Sequence, residues 1–227
     1  MMTVRKVKIS IGERETISGM LSLPDDYTKG PLTCVVLAHG AANNMENPLI
    51  VYLADGLAGE GFATVRFNFS YRERGHKAPD SQKKLVHTWG CVFRFLMEES
   101  GLKPDRFIAA GKSMGGRVAS QMVAEGSLPA DRLVFLGYPL HPPGKKEQLR
   151  DAHLYEISVP MLFFAGTRDS FCDLAELKGV LGKLDASWDL EVIEGGDHSF
   201  HLPKSSETEE AEVCERILNR TVNWLRH

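Results

Sequence analysis

The stretch that decides the fold reads FIAAGKSMGGR and runs from Phe107 to Arg117. Its first four residues are apolar, as in a buried strand, and the residues after Ser113 are typical of a helix. Between them stands Gly-x-Ser-x-Gly, in which Gly111 and Gly115 flank the serine. A nucleophile on such a sharp turn has a strained backbone, and the positions two residues away come too close to carry side chains. The motif therefore predicts Ser113 as an exposed nucleophile at a strand-to-helix turn.

A serine hydroxyl is a weak nucleophile and needs a base, which two downstream segments offer. His198 follows the apolar run 190–193, and Asp169 follows the apolar run 161–165. Both lie where predicted strands end, and open α/β sheets place their sites at that edge. The chain order nucleophile, acid, histidine is also the order known for this type of motif. We predict His198 as the base and Asp169 as the acid that orients it, with Asp173 as an open alternative for the acid.

Two backbone amides are predicted to stabilise the negative oxygen that forms when Ser113 attacks a carbonyl. The Met114 N–H stands at the start of the predicted helix, where free amides and the helix dipole favour negative charge. The second donor is expected from the loop after the apolar run 32–38, which begins His-Gly. We predict the Ala41 N–H for this role and expect His39 to fix the loop.

Substrate contacts are predicted from the loop 70–77, which follows another apolar run and is rich in basic residues. A guanidinium can hold a carboxylate or a phosphate through two hydrogen bonds. One hypothesis is therefore that Arg72 or Arg74 binds an anionic group of the substrate. The alternative is that these arginines pair with surface acids and keep the loop soluble. His201 is expected at the edge of the pocket.

Neither a metal nor a cofactor is expected. His198 and His201 form a pair, but the neighbouring sequence offers no further ligand at a usable spacing. The four cysteines are scattered without zinc-like spacing and are expected to be free thiols in a reducing compartment.

The order of apolar runs predicts an α/β fold. Continuous apolar runs separated by helical segments indicate a mostly parallel twisted sheet with helices on both faces. Alternation over 7–11 and 17–23 adds an N-terminal antiparallel hairpin. We expect one domain over 1–227 without a cap domain, because the segment 139–160 is short and polar. It is expected to hold one short helix at 146–154 and to leave the site open. The predicted strands are 32–38, 63–67, 107–110, 133–136, 161–165 and 190–193, and the predicted helices are 47–59, 82–99, 114–124, 174–184 and 209–225.

Composition excludes several classes of protein. The chain has 227 residues, a net charge of −3 and 25% charged residues, so it lacks the basic excess of nucleic-acid-binding proteins. The N-terminus lacks the apolar core of a signal peptide, and no apolar stretch is long enough to span a bilayer. We expect a cytoplasmic protein that binds a small acyl compound and contacts neither nucleic acid nor membrane.

These motifs resemble the α/β-hydrolases related to dienelactone hydrolase. The resemblance is stronger to a bacterial group that shares sequence with a regulatory subunit of the NSL chromatin complex. Two matching pieces are specific to that group, Lys-Ser-Met-Gly-Gly-Arg from Lys112 and His-Pro-Pro-Gly-Lys from His141. The other matching pieces lie at 37–41, 66–69, 138–140, 166–169 and 196–200.

The resemblance implies an α/β-hydrolase fold with Ser113, Asp169 and His198 as its catalytic triad. Dienelactone hydrolases proper use a cysteine nucleophile, so lactone specificity is not carried over to a chain with Ser113. Together, the residues and the resemblance predict a serine hydrolase that cleaves an ester, a thioester or a related acyl bond. The chromatin-subunit relatives act as scaffolds, so a catalytically silent binding or scaffold protein is the alternative.

Overall fold

The computed structural model of the chain describes residues 2–25, 27–28 and 30–227. Its central element is an eight-stranded sheet. The strands are β1 Thr3–Ser10, β2 Thr16–Leu23, β3 Thr33–Ala38, β4 Ala63–Phe67, β5 Arg106–Lys112, β6 Arg132–Leu136, β7 Met161–Gly166 and β8 Trp188–Ile193. Their order across the sheet is β1-β2-β4-β3-β5-β6-β7-β8.

The N-terminal hairpin confirms the prediction from alternating residues. β1 and β2 pair antiparallel over their full lengths, with Ile9 opposite Ile17. Both isoleucines are fully buried, while the polar neighbours of Ile9 in β1 are exposed. β2 then pairs antiparallel with β4, which attaches the hairpin to the rest of the sheet.

The strands β3 to β8 are parallel, as the continuous apolar runs predicted. Successive side chains of a strand point to opposite faces, so each buried strand supplies two cores. In β3, Val35 and Leu37 belong to one apolar cluster, and Cys34 and Val36 belong to the other. Helices cover both faces for this reason.

Each face has its own helices. In the described residues the α-helices are α1 Pro48–Gly59, α2 Ser70–Glu73, α3 Gln82–Arg94, α4 Met114–Ala124, α5 Leu174–Leu181 and α6 Glu210–Arg226. α1 and α6 pack on one face, and α3, α4 and α5 pack on the other. α1 begins where the Asn47 side chain accepts the Ile50 N–H and Pro48 occupies the first turn. A π-helical turn, Phe95–Glu99, extends α3 to the end predicted for that helix.

The segment 139–160 corrects one prediction. The helix expected at 146–154 is absent, and a 3₁₀ turn at Ala152–Glu156 is found instead. The backbone there bonds to the chain before it, because the Arg150 N–H donates to Leu140 O at 2.7 Å and the Tyr138 hydroxyl donates to Arg150 O at 2.6 Å. These bonds tie the segment, which consists of turns and bends, to the chain before it, and in the described residues it forms no cap domain over the sheet.

Two further features of the fold concern membrane-spanning helices and the cysteines. Among the described residues, no helix has both the length and the apolar character that crossing a bilayer requires. All four cysteines are free thiols, as predicted.

Candidate active site

Ser113 stands at the turn between β5 and α4. Its φ is 50° and its ψ is −117°, a left-handed backbone that residues with a side chain rarely adopt. The glycines two residues away are required by space. A Cβ on Gly111 would lie 2.3 Å from the Gly116 nitrogen, and a Cβ on Gly115 would lie 2.6 Å from Ala38 O. Close packing of these backbones holds the serine at the carboxyl edge of the sheet.

His198 bridges Ser113 and Asp169. Its Nε2 lies 2.8 Å from Ser113 Oγ, and its Nδ1 lies 2.7 Å from Asp169 Oδ2. The Asp169 side chain is fully buried and that of His198 is 17% exposed. The Phe171 ring lies against the imidazole, with 4.4 Å between the ring centroids. The backbone N–H of Phe171 donates to Asp169 Oδ1 at 2.7 Å. With the carboxylate on Nδ1, the imidazole can present Nε2 to the serine as a base.

Asp173, the alternative acid, has a different position. Its Oδ1 accepts the Ala175 and Glu176 N–H groups and so caps α5. Its Oδ2 forms an ion pair with Lys146. The carboxylate beside His198 is therefore that of Asp169.

The loop after β3 lies beside the nucleophile. A Cβ built on Gly40 would be 3.4 Å from Ser113 Cβ, which shows how close the loop backbone comes to the serine. The next amide, that of Ala41, and the amide of Met114 donate to no other group in the described part of the chain. Two backbone donors that line the same cleft as Ser113 are thus free to bind an oxygen atom.

His39 and Tyr71 fix that loop. His39 Nδ1 lies 2.7 Å from Gly40 O, and its Nε2 accepts the Phe69 N–H at 3.1 Å. A carbonyl only accepts, so the proton stands on Nδ1 and the ring is neutral. Burial lowers the pKa of His39 to about 4, which keeps it neutral. The Tyr71 hydroxyl donates to Gly40 O at 3.3 Å.

Lys112 binds the loop that carries His198. Its side chain is buried, and its Nζ donates to His198 O at 2.9 Å. Burial lowers the pKa of Lys112 to about 8, although Asp169 and Asp197 favour its charged form. This lysine therefore touches the backbone of His198 rather than the space above Ser113.

A cleft of about 340 Å³ opens at Ser113, within the range of small-molecule sites. We call it the Ser113 cleft. Its lining includes Ala41, Asp80, Ser113, Arg117, Arg150 and Phe171.

The substrate-binding residues predicted from sequence lie elsewhere. Arg72 donates to His76 O at 2.8 Å, and Arg74 forms ion pairs with Glu15 and Asp80. Neither arginine lines the Ser113 cleft in the described structure. Arg74 thus follows the alternative that these charges pair with neighbouring acids.

His201 does not line the Ser113 cleft either. It lines a separate cavity of about 170 Å³ beside Lys112, and its Nδ1 lies 3.6 Å from Asp197 Oδ2. The described residues contain no group of three or more histidine, cysteine, aspartate or glutamate side chains arranged to hold a metal.

Two arginines of the cleft were not predicted as site residues from the sequence. Arg117 lies four residues after Ser113 in α4, and residues at that spacing share a helix face, so the helical period offered a signal. Arg150 gave no such signal in the sequence, because its position in the cleft depends on the path of the irregular segment 139–160.

A second serine–histidine contact joins Ser120 and His153, with Oγ and Nε2 at 2.9 Å. Ser120 is fully buried inside α4, and its hydroxyl donates to Arg117 O at 2.8 Å. No aspartate or glutamate among the described residues is hydrogen-bonded to His153, and Ser120 does not line the Ser113 cleft. This pair packs α4 against the 3₁₀ turn.

A larger groove of about 710 Å³ runs between β8 and α6. The arginines that line it pair with acids of β8, since Arg216 binds Glu191 and Arg220 binds Asp189. None of Ser113, Asp169 and His198 lines it.

The fold agrees with comparisons to known proteins. A profile of the family described as "Alpha/beta hydrolase domain" matches residues 31–226. The chain belongs to this family. The fold class predicted from the sequence is confirmed.

Solved structures show the same fold. The dienelactone hydrolase from Anabaena variabilis is 22% identical, with a TM-score of 0.75 over 100% of this chain and 98% of that one. An α/β serine hydrolase homologue from Coxiella burnetii is 19% identical, with a TM-score of 0.72 over 95% and 96%. An α/β serine hydrolase without a lid from Xanthomonas campestris is 16% identical, with a TM-score of 0.71 over 97% and 94%. Likeness at these identities concerns the fold, and the fold alone does not set the bond that is cleaved.

Proposed function

We propose that this α/β-hydrolase is a serine hydrolase that cleaves an ester, a thioester or a related acyl bond of a small molecule. One observation carries the proposal: the hydrogen-bonded chain from Ser113 through His198 to the buried carboxylate of Asp169. A hydroxyl, an imidazole and a carboxylate in this order can activate the oxygen for attack on a carbonyl.

The proposed reaction has two halves. Ser113 Oγ forms a bond to the acyl carbon while His198 Nε2 takes the hydroxyl proton. The tetrahedral intermediate collapses, the bond to the leaving group breaks, and the imidazolium returns the proton to that group. Water then attacks the acyl-enzyme by the same route, with His198 as base, and releases the acid and free Ser113.

The free Met114 and Ala41 amides are proposed as the oxyanion hole. Both lie next to Ser113, and the Ala41 loop is fixed by the bonds of His39 and Tyr71 to Gly40 O. Fixed donors need no reorganisation when charge develops, which is the basis of their effect on rate.

Labelling with a fluorophosphonate tests the proposal, because this probe reacts with an activated serine and not with a merely exposed one. We expect stoichiometric labelling of the wild type and hydrolysis of 4-nitrophenyl acetate. Ser113→Ala should abolish both, with a loss of turnover on the order of 10⁴- to 10⁶-fold. Far-ultraviolet circular dichroism should stay unchanged, because only one hydroxyl is removed.

Ser120→Ala is the matched control, since it removes the serine of the other serine–histidine contact and should keep labelling and turnover. A scaffold protein would give the opposite result, with no labelling and no turnover in the wild type. Near-normal turnover in Ser113→Ala would refute the assignment of the nucleophile.

A further inference from the structure

Two arginines line the Ser113 cleft, and neither has an anionic partner. Arg117 comes from α4, one turn after the nucleophile, and Arg150 comes from the segment 139–160. Both are half-buried. An arginine that lines a cleft either forms an ion pair with the protein or is free to meet a ligand, and its contacts distinguish the two cases.

The guanidinium of Arg117 is hydrogen-bonded to an uncharged side chain. Its Nη1 donates to the amide oxygen of Gln121 at 3.1 Å, and that oxygen also accepts from Gln82 at 2.8 Å. Burial lowers the pKa of Arg117, and the positive charge of Arg150 lowers it further. The two guanidinium groups therefore repel each other across the cleft.

Arg150 is fixed by its backbone and free at its side chain. Its N–H donates to Leu140 O, and its carbonyl accepts from the Tyr138 hydroxyl. Its guanidinium makes no hydrogen bond or ion pair with any residue that the structure describes. Many other arginines differ in this respect, since ion pairs join Arg66 to Glu46, Arg74 to Glu15 and Asp80, Arg216 to Glu191, Arg220 to Asp189 and Arg226 to Glu60.

The carboxylate that lines the cleft does not neutralise this pair. Asp80 is bound by Arg74 through Oδ1 and by the Ser70 hydroxyl through Oδ2 at 2.7 Å. These partners hold the pKa of Asp80 below its ordinary value, against the effect of burial. Its charge is thus balanced from outside the cleft, and the positive charge of Arg117 and Arg150 remains.

We propose that Arg117 and Arg150 form a subsite in the Ser113 cleft for an anionic oxygen group, a carboxylate or a phosphate, carried by the acyl substrate. The inference rests on the proposed function, because it places the group beside a serine that attacks the acyl carbon. Each guanidinium presents paired N–H donors that match two oxygens of such a group. A bound anion would also remove the repulsion between the two arginines.

Boronic acids test the subsite, because boron bonds to the nucleophilic serine and imitates the tetrahedral intermediate. The probes are phenylboronic acid and its 3-carboxy and 3-phosphono derivatives, used as competitive inhibitors of 4-nitrophenyl acetate hydrolysis. At least one anionic probe should inhibit about 10-fold more tightly than the neutral probe, as expected for a charge-assisted hydrogen bond. The better of the two anionic probes identifies the group.

Arg150→Gln and Arg117→Gln should each remove most of this preference and leave the inhibition constant of the neutral probe within about threefold. Arg94→Gln, which removes an exposed positive charge from the surface of α3, is the matched control and should keep the preference. The subsite is wrong if the anionic probes show no preference in the wild type, or if both variants keep it.

The failure of the proposed function would look different. In that case the wild type would neither hydrolyse the ester nor bind the neutral boronic acid. Calorimetric titration with benzoate and phenylphosphonate would then decide the subsite alone. Saturable binding that is lost in Arg150→Gln supports it, and the absence of binding overturns it.

Discussion

Asp169 and Asp173 are four residues apart in the sequence but have different roles in the structure. Both follow β7, and sequence position alone left the acid of the triad open between them. In the structure, the buried Asp169 carboxylate accepts from His198 Nδ1, while Asp173 caps α5 and pairs with Lys146. The first contact orients an imidazole and the second begins a helix, so the two residues are expected to affect different measurable properties.

Substitution of the two aspartates separates activity from stability. Asp169→Asn should lower kcat for 4-nitrophenyl acetate by about 10⁴-fold, because an amide favours the wrong imidazole tautomer. Asp173→Ala should keep kcat within about threefold and lower the free energy of unfolding by about 1 kcal/mol, the usual effect of losing an N-cap. Steady-state kinetics and urea unfolding give both values. The reverse pattern would assign the acid to Asp173.

At the scale of elements, the sequence predicted best where local rules apply. The β5–α4 turn followed from the spacing of Gly111, Ser113 and Gly115, because backbone contact forbids side chains there. The parallel strands followed from their apolar runs. The helix expected at 146–154 was wrong, because the segment forms turns and bends that hydrogen bonds from Tyr138 and to Leu140, both outside it, tie to the preceding chain. Such bonds between distant residues leave no periodic signal.

The candidate site, too, could be predicted only where its residues follow from local sequence patterns. Ser113 directly precedes α4, and Asp169 and His198 lie in the loops that follow β7 and β8, so their meeting at one sheet edge could be predicted from element order. The surroundings of the cleft could not, since Arg150 reaches it through an irregular segment. Arg74 was predicted from the charge and position of its loop, and its actual partners are Asp80, six residues further on, and Glu15, which lies before β2.

Glycine substitutions test the packing of the β5–α4 turn. A Cβ on Gly111 would meet the Gly116 backbone at 2.3 Å, and backbone atoms cannot rotate away. Gly111→Ala should therefore lower the free energy of unfolding by about 3 kcal/mol or more. Gly179→Ala in α5 is the matched control, because its Cβ meets nothing within 4 Å. It should raise stability by about 0.5–1 kcal/mol through helix propensity. Equal thermal stability of the two variants would contradict the predicted crowding.

At the scale of the whole molecule, two histidines link folding to acid pH. Burial lowers the pKa of His39 to about 4, and burial together with the Arg117 charge lowers that of His153 to about 4. Both rings connect separate parts of the chain, since His39 joins the β3 loop to Phe69 and His153 joins Ser120 to Tyr138. Protonation would place an uncompensated charge at each junction.

The sign of the effect follows from proton uptake. Above pH 6.5, both histidines are neutral in the folded and in the unfolded chain, and their full contribution to stability is present. Between pH 6.5 and 4 the unfolded chain binds protons that the folded chain excludes, so stability falls as pH falls. The aspartates with lowered pKa act below this window, since their ordinary value is 3.8.

We therefore expect the free energy of unfolding to fall steeply between pH 6.5 and 4, by about 1.4 kcal/mol per pH unit for each histidine. Urea unfolding at half-unit pH steps measures the slope. His39→Gln should be less stable at pH 7, because the bond to Gly40 O is disturbed. Its free energy of unfolding should nevertheless depend less on pH, by about 1.4 kcal/mol per pH unit, because the unfolded variant takes up one proton fewer. His76→Gln, at an exposed site, should keep the wild-type slope. A slope unchanged in His39→Gln would mean that this ring is not held neutral by the fold, and acid sensitivity would then have to arise from other groups.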